Sequence, residues 1–183
     1  MLKDKNIVIG ITGGIACYKA CEIISYLKKE GANVDVIMTK NATEFITPLT
    51  IETLSKSQVV TDMFAHKNHI EVEHISLAQK ADLFLIVPAT ANIIGKVANG
   101  IADDMLSTTI MATQKPVIFA PAMNNQMYEN KIVQDNIQKL KKYGYIFIEP
   151  QIGNLACGYT AKGKLAQKAE IIKTINQTMK GVL

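Results

Sequence analysis

Three side chains are placed where they could do chemistry: Asn124, His74 and Cys157. Asn124 lies in Pro121-Ala122-Met123-Asn124-Asn125-Gln126-Met127, directly after the apolar run 116–120, which reads as a buried parallel strand. The chain thus leaves the carboxyl end of a strand, where open α/β sheets place their ligands. Pro121 removes one backbone donor and stiffens the exit. An amide both donates and accepts, so it suits a carboxylate or a polarised oxygen without adding charge. Met123 and Met127 supply adaptable apolar walls. The same residues also suit a strand-to-helix loop with an Asn cap and two core methionines.

His74 stands directly before Ile75-Ser76-Leu77-Ala78, at a helix start, with Glu71 and Glu73 nearby. A histidine there suits an acid, a base or an electrostatic partner near neutral pH, and equally a cap or a surface residue. Cys157 lies in Asn154-Leu155-Ala156-Cys157-Gly158-Tyr159, within a stretch over 151–164 punctuated by Gly153, Gly158 and Gly163. A thiol between glycines reads as a reactive group on a lid. His66 and His69 fall in a polar surface loop over 65–73. Asp103 and Asp104 are placed in the first turn of a helix over 101–113, where the positive end of the helix dipole accounts for them.

The elements that position these groups alternate strand and helix. Strands are expected at 6–11, 34–38, 59–62, 82–87, 116–120 and 145–148. Helices are expected at 15–30, 41–46, 47–54, from about 75, at 93–98, 101–113, 125–143 and 168–180. The first strand, the turn Thr12-Gly13-Gly14, the first helix and the second strand make a right-handed βαβ unit. Its turn suits a phosphate or a polar group at the helix N-terminus, or simply a tight connection. Gly10, Gly13 and Gly14 do not make the dinucleotide fingerprint G-x-G-x-x-G. The second strand ends in Thr39-Lys40, where a dinucleotide site would want an acid for the ribose. The unit therefore argues for a mononucleotide such as FMN over NAD. A second loop of small residues, Pro88-Ala89-Thr90-Ala91-Asn92, would let a flat ring approach the backbone.

The 183 residues suit one domain over 1–183, with 48% hydrophobic and 20% charged residues. The formal net charge of +4 comes from 20 lysines and no arginine. Any phosphate site must then use backbone N–H groups, hydroxyls or lysine. No lysine-rich block stands out, so no nucleic-acid partner is expected. Cys17, Cys21 and Cys157 have no metal-like spacing, and neither a metal site nor a disulfide framework is expected. The N-terminal apolar run is too short for a signal segment, and no stretch approaches membrane-spanning length. A soluble, cytoplasmic protein with no membrane partner is the expectation.

Together these pieces resemble the homo-oligomeric flavin-containing cysteine decarboxylases, over nearly the whole chain. The resemblance rests on Gly13-Gly14-Ile15-Ala16, His74-Ile75, Pro88–Asn92 with Gly95-Lys96, Gly100–Asp104, Pro121–Met127 with Tyr128, and Leu155-Ala156-Cys157-Gly158. The P-x-M-N-x-x-M block is specific, and its coincidence with an A-C-G lid is more so. The resemblance implies an α/β, Rossmann-like (flavodoxin-like) three-layer sandwich with a mostly parallel sheet. It implies FMN, contacted by Gly13, Gly14, Ile15, Thr39, Phe45, Ala89, Thr90, Ala91 and Asn92. It also implies the branch acting in coenzyme A biosynthesis on 4′-phosphopantothenoyl-L-cysteine. There Asn124 would hold the substrate, with Met127 and Ala156 beside it. His74 would serve the oxidative decarboxylation step, and Cys157 would give a proton in the final reduction. Members form trimers, often assembled into dodecamers, with FMN between subunits.

Two departures stand out. Lys164 replaces an arginine common at the end of the flap, and no ligase segment follows residue 183, so a free-standing decarboxylase is expected. Competing readings are a lantibiotic-type peptidyl-cysteine decarboxylase, which stops at the ene-thiol and does not need Cys157, and a prenyl-flavin synthase, which would want arginine. A non-catalytic flavoprotein regulating a phosphatase usually carries an acidic tail, whereas this chain ends Lys180-Gly181-Val182-Leu183.

Overall fold

The computed structural model describes residues 2–64, 73–154, 156 and 158–182. The chain begins with β1 (Asn6–Ile11), a short 3-10 helix (Ile15–Lys19), α1 (Ala20–Lys29) and β2 (Asn33–Met38). Then come α2 (Lys40–Thr43), α3 (Pro48–Ser55), β3 (Val59–Val60), α4 (Glu73–Lys80) and β4 (Leu83–Ala89). They are followed by α5 (Ala91–Ala98), α6 (Met105–Ala112), β5 (Val117–Pro121), α7 (Asn125–Glu129), α8 (Lys131–Lys142) and β6 (Ile146–Phe147). The chain closes with β7 (Gln151–Asn154), β8 (Thr160–Lys164) and α9 (Lys168–Met179).

Six strands form one sheet in the order β3-β2-β1-β4-β5-β6, with every recorded pairing parallel. This is the Rossmann-like α/β order, and its direction reverses between β1 and β4. Alternation along each strand sends side chains to two layers of helices. Ile7, Ile9, Ile11, Leu85 and Ile118 pack with Ile23, Leu27 and Ile171 of α1 and α9. Val8, Phe84, Ile86 and Phe119 pack with Ile94, Leu106 and Leu140 of α5, α6 and α8. Strands covered on both faces must be apolar throughout, and all seven residues of β4 are buried.

The helix starts follow local chemistry. Thr47 caps α3 ahead of Pro48, and Thr39 and Thr90 accept hydrogen bonds from Ala42 N and Ile93 N at the starts of α2 and α5. Several expectations are corrected. The helix expected over 15–30 opens as a 3-10 segment. The helix expected over 101–113 begins only at Met105: Asp104 is its N-cap, in a reciprocal capping box with Ser107, and Asp103 lies before it. The helix expected over 125–143 divides at Asn130, whose side chain accepts from Ile132 N at 2.9 Å and starts α8 afresh. The strand expected to end at Val87 continues through Pro88 and Ala89. The glycine-punctuated stretch is an antiparallel hairpin, β7 with β8. The loop expected over 65–73 lies outside the described residues apart from Glu73, which opens α4. Among the described residues no helix is long and apolar enough to cross a membrane.

Candidate functional site

At the point where the strand order reverses, the turn after β1 and the loop after β4 stand side by side. Thr12, 2% exposed, joins them: its hydroxyl donates to Pro88 O at 2.7 Å and accepts from Thr90 N at 3.2 Å. The loop after β5 is tied in by Ala122 N donating to Ala89 O at 3.2 Å. Three strand ends thus share one polar seam, with the deep sheet residues Ile11, Val87 and Ala120 fully buried beneath it.

A cleft of about 490 Å³ opens over this seam. Its floor is Gly13, Gly14, Thr90, Ala91 and Ala122, one wall is Ile15 and Tyr18, and another is Met123, Asn124 and Met127. Asn154, Ala156, Gly163 and Lys164 of the hairpin region line it from the far side, and among the described residues Lys19 and Lys164 are its lining cations. A second chamber of about 410 Å³ shares Gly13, Thr90, Ala91 and Met127 with it and adds Thr12, Thr39, Lys40, Asn92, Lys96 and Asp104. The two glycines differ in role. A Cβ on Gly13 would meet Asn41 Cβ at 2.4 Å, so this glycine permits close packing of the turn on α2. Among the described residues, a Cβ on Gly14 would have only Thr90 Cγ2, at 3.9 Å, within reach, because it faces the cleft.

The hairpin is docked onto the Asn124 loop. Met123 N donates to Gly163 O at 3.0 Å. Gly163 has φ +145, and a Cβ there would lie 2.2 Å from Met123 O, so the backbones meet only because this residue is glycine. Glu149 forms a side-chain hub: Lys162 Nζ and Tyr128 OH each donate to Oε2 at 2.9 Å, and Lys141 Nζ lies 3.3 Å from Oε1. Lys162 Nζ also sits 5.3 Å above the Tyr128 ring. Burial raises the Tyr128 pKa, the Glu149 hydrogen bond adds to it, and the phenol is pushed up to about 12. Burial alone would raise Glu149 as well, but the hydrogen bonds from Lys162 and Tyr128 outweigh it and hold the carboxyl below its ordinary value. In the second chamber Lys96 Nζ lies 2.6 Å from Asp103 and 2.7 Å from Asp104. Burial opposes charge on Lys96, yet its hydrogen bonds to both aspartates prevail and raise its pKa.

Of the site residues expected from sequence, Gly13, Gly14, Ile15, Thr90, Ala91, Asn124, Met127 and Ala156 line the cleft together. Thr39 and Asn92 line the second chamber. Ala89 is fully buried in β4 and contributes a backbone carbonyl to the seam instead of a wall. Phe45 follows α2, is 52% exposed and lines neither chamber. His74 is half-buried on α4, which packs against α6, and it lines neither chamber. Cys157 lies outside the described residues. Sequence reasoning overlooked Thr12, whose polar side chain at the end of an apolar strand was its signal, and Tyr159, for which no local pattern existed.

The Flavoprotein family model matches residues 1–180. The chain belongs to the Flavoprotein family. Among curated Flavoprotein-like relatives, the coenzyme A biosynthesis bifunctional protein CoaBC of Bacillus subtilis is 51% identical over 173 residues, covering 94% of this chain and 43% of that protein. A probable phosphopantothenoylcysteine decarboxylase of Streptococcus mutans is 42% identical over 177 residues, covering 96% of this chain and 99% of that protein. The chain therefore spans less than half the length of the bifunctional relatives, 43% and 45% in two of them, and nearly all of the monofunctional one. Among solved structures, a PPC decarboxylase mutant complexed with pantothenoylaminoethenethiol superposes with TM-score 0.88 at 28% identity, covering 97% of this chain and 100% of that one. The FMN-dependent cysteine decarboxylase SpaF gives TM-score 0.87 at 29% identity, covering 100% and 99%.

Proposed function

We propose that this Flavoprotein-family chain is a phosphopantothenoylcysteine decarboxylase that converts 4′-phosphopantothenoyl-L-cysteine to 4′-phosphopantetheine with FMN, in coenzyme A biosynthesis. The observation that carries this reading is the gathering of Asn124, Met127 and Ala156 with Gly13, Gly14, Thr90 and Ala91 around one cleft under a hairpin. The Streptococcus mutans relative, matched over nearly its full length, carries that activity in its name. The solved decarboxylase of the same fold holds a pantothenoyl thiol.

The residues present fit a flavin mononucleotide. The floor is made of small side chains, and Gly14 faces the cleft with no side chain of its own, so a flat ring could lie against the backbone. The chambers, about 490 and 410 Å³, lie within the range of small-molecule sites. The Thr39 hydroxyl accepts from Ala42 N and keeps its own hydrogen to donate to a phosphate oxygen. FMN would be held by Gly13, Gly14, Ile15, Thr90, Ala91, Asn92 and Thr39. When bound, it supplies the electron sink that a cysteine carboxylate lacks, taking electrons from the thiol-bearing carbon and returning them after CO₂ leaves.

The chain's own residues do the rest. Asn124 donates N–H to the substrate carboxylate while adding no charge. Met123 and Met127 keep water off it, and a poorly solvated carboxylate leaves as neutral CO₂ more readily. Lys19 and Lys164 line the same cleft and are our candidates for the substrate phosphate in a chain without arginine. Cys157 gives the proton to carbon in the last step. A thiol held for that purpose requires a reducing compartment, and the cytoplasm is the one we propose. His74 does not line the cleft of its own chain, so in this reading it reaches the cleft of a neighbouring subunit. That supports a homo-oligomer, a trimer at least, with FMN between subunits. Ile15, Tyr18 and Met127, 59%, 55% and 49% exposed at the cleft, are apolar enough to be covered by that neighbour.

Incubating FMN-reconstituted protein with phosphopantothenoylcysteine and following mass tests the activity, with loss of CO₂ expected. A protein that takes up no FMN, or that decarboxylates only peptides ending in cysteine, sinks the reading. Light scattering that finds an active FMN-loaded monomer sinks its oligomeric part.

A further inference from the structure

The hairpin reaches the amide of Asn124 through one side chain. Asn124 Nδ2 donates to Tyr159 OH at 2.9 Å, and Tyr159 OH donates in turn to Asn125 Oδ1 at 2.7 Å. On its other side, Asn124 Oδ1 accepts from Gln126 N at 2.9 Å. The three contacts select one orientation of the amide. Turned over, it would set its NH₂ against the Gln126 N–H, donor facing donor. The proton of Tyr159 is committed to Asn125 Oδ1, so its oxygen receives from Asn124. Tyr159 itself does not line the cleft, whereas Asn124 does. The hairpin that carries Tyr159 is docked beside the same loop by Met123 N to Gly163 O at 3.0 Å, and Lys162 pairs at 2.9 Å with Glu149, which Tyr128 of α7 also reaches at 2.9 Å.

The geometry points to Tyr159 as a positioning residue for carboxylate recognition: when the hairpin is down, its hydroxyl, directed by Asn125, fixes the Asn124 amide with N–H toward the substrate carboxylate. This inference rests on the decarboxylase reading above and adds to it a residue that acts through Asn124. Carboxylate affinity is thereby coupled to hairpin closure, since lifting the hairpin removes the Tyr159 bond while the Gln126 bond, local to the loop, remains. The coupling gives a sharp signature. A ligand bearing the carboxylate should feel the loss of the hydroxyl, and the same ligand without it should not.

The test uses the FMN-loaded protein and two ligands that differ by that group, KM for phosphopantothenoylcysteine and the inhibition constant for 4′-phosphopantetheine. Tyr159→Phe keeps the ring and removes one hydrogen-bonding oxygen, which should raise KM roughly five- to tenfold, the loss expected for one directed hydrogen bond. The inhibition constant should stay within about twofold, because it reads hairpin packing without the carboxylate. Asn125→Ala, which removes the group that directs the hydroxyl, should shift KM the same way by a smaller factor, and the double variant should do little more than Tyr159→Phe alone. Equal weakening of both ligands would show that Tyr159 merely packs the hairpin and overturns the inference, as would no change in either. If the parent protein itself fails to decarboxylate phosphopantothenoylcysteine, the substrate reading falls and this inference falls with it. A parent that turns over beside an unaltered Tyr159→Phe removes the inference alone.

Discussion

The floor and the roof of the cleft are held by different physics. The floor is the seam of three strand ends, fastened by Thr12 at 2% exposure and resting on strand residues with no exposure at all. Its hydrogen bonds have no water to compete with them, and breaking one strands a buried partner. The roof is the hairpin, with Ile152 73% and Tyr159 43% exposed. It is fastened by the backbone bond at Gly163, by the exposed hydrogen bonds of Tyr159 with Asn124 and Asn125, and by the ion pair of Lys162 with Glu149, whose side chain is 56% exposed. Exposed pairs of this kind are each worth about 0–1 kcal/mol. The floor therefore offers a fixed surface, and the roof can lift at small cost. A site that must hold a flat group tightly and still admit and release a second molecule needs one of each.

Four substitutions separate these regions, and their expected effects descend in size. Asn124 lies where floor meets roof, and Asn124→Asp should abolish turnover, at least about 100-fold, while flavin stays bound. A carboxylate set beside the substrate's own repels it. Turnover within a few-fold of the parent, measured as CO₂ release, would make Asn124 only a loop residue. Cys157→Ser should next cost about 100-fold in the final reduction alone, because a hydroxyl is a far weaker acid than a thiol. Mass analysis should then find a decarboxylated product two hydrogens lighter than phosphopantetheine, and normal product at the parent rate would remove Cys157 from its role.

Thr12→Val tests the floor. It leaves Pro88 O and Thr90 N without their buried partner and should lower stability by about 1–3 kcal/mol in a denaturant titration. Flavin retention should fall with it, and unchanged stability would break the contrast between the two regions. Glu149→Gln tests the roof, where the change should be smallest. Proteolytic nicking of the hairpin should rise a few-fold with global stability unchanged, in line with exposed pairs. Acid should mimic it, and the sign is fixed by the direction of the shift. The Glu149 pKa lies below its ordinary 4.5, so the latch is complete above that pH and is lost as the pH falls through the lowered value. Nicking that instead rises between pH 6 and 8 would point to a different fastening.

The sheet was readable along the chain because its central strands are buried on both faces and so are apolar almost end to end, as in Leu83-Phe84-Leu85-Ile86-Val87. The floor was readable for the same reason: strand ends announce themselves, and Gly13, Thr90 and Asn124 follow them directly. Helix limits were less so. Asp104 and Asn130 read equally well as interior helical residues, and only their side-chain bonds to Ser107 N and Ile132 N make them starts. The hairpin was hidden because its glycines suggested a loop, while its strands are short and half-exposed.

The sequence by itself determined the α/β class, the strand-end loops, the lack of arginine and the P-x-M-N-x-x-M block, because local burial and local composition decide these. Tertiary structure alone decided that Thr12 bonds Pro88, 76 residues away, and that Tyr159 meets Asn124, 35 residues away. It also decided that His74 does not line the cleft that Asn124 lines. Hydrogen bonds between residues so distant depend on where the strands bring their ends, and no periodicity along the chain encodes that position.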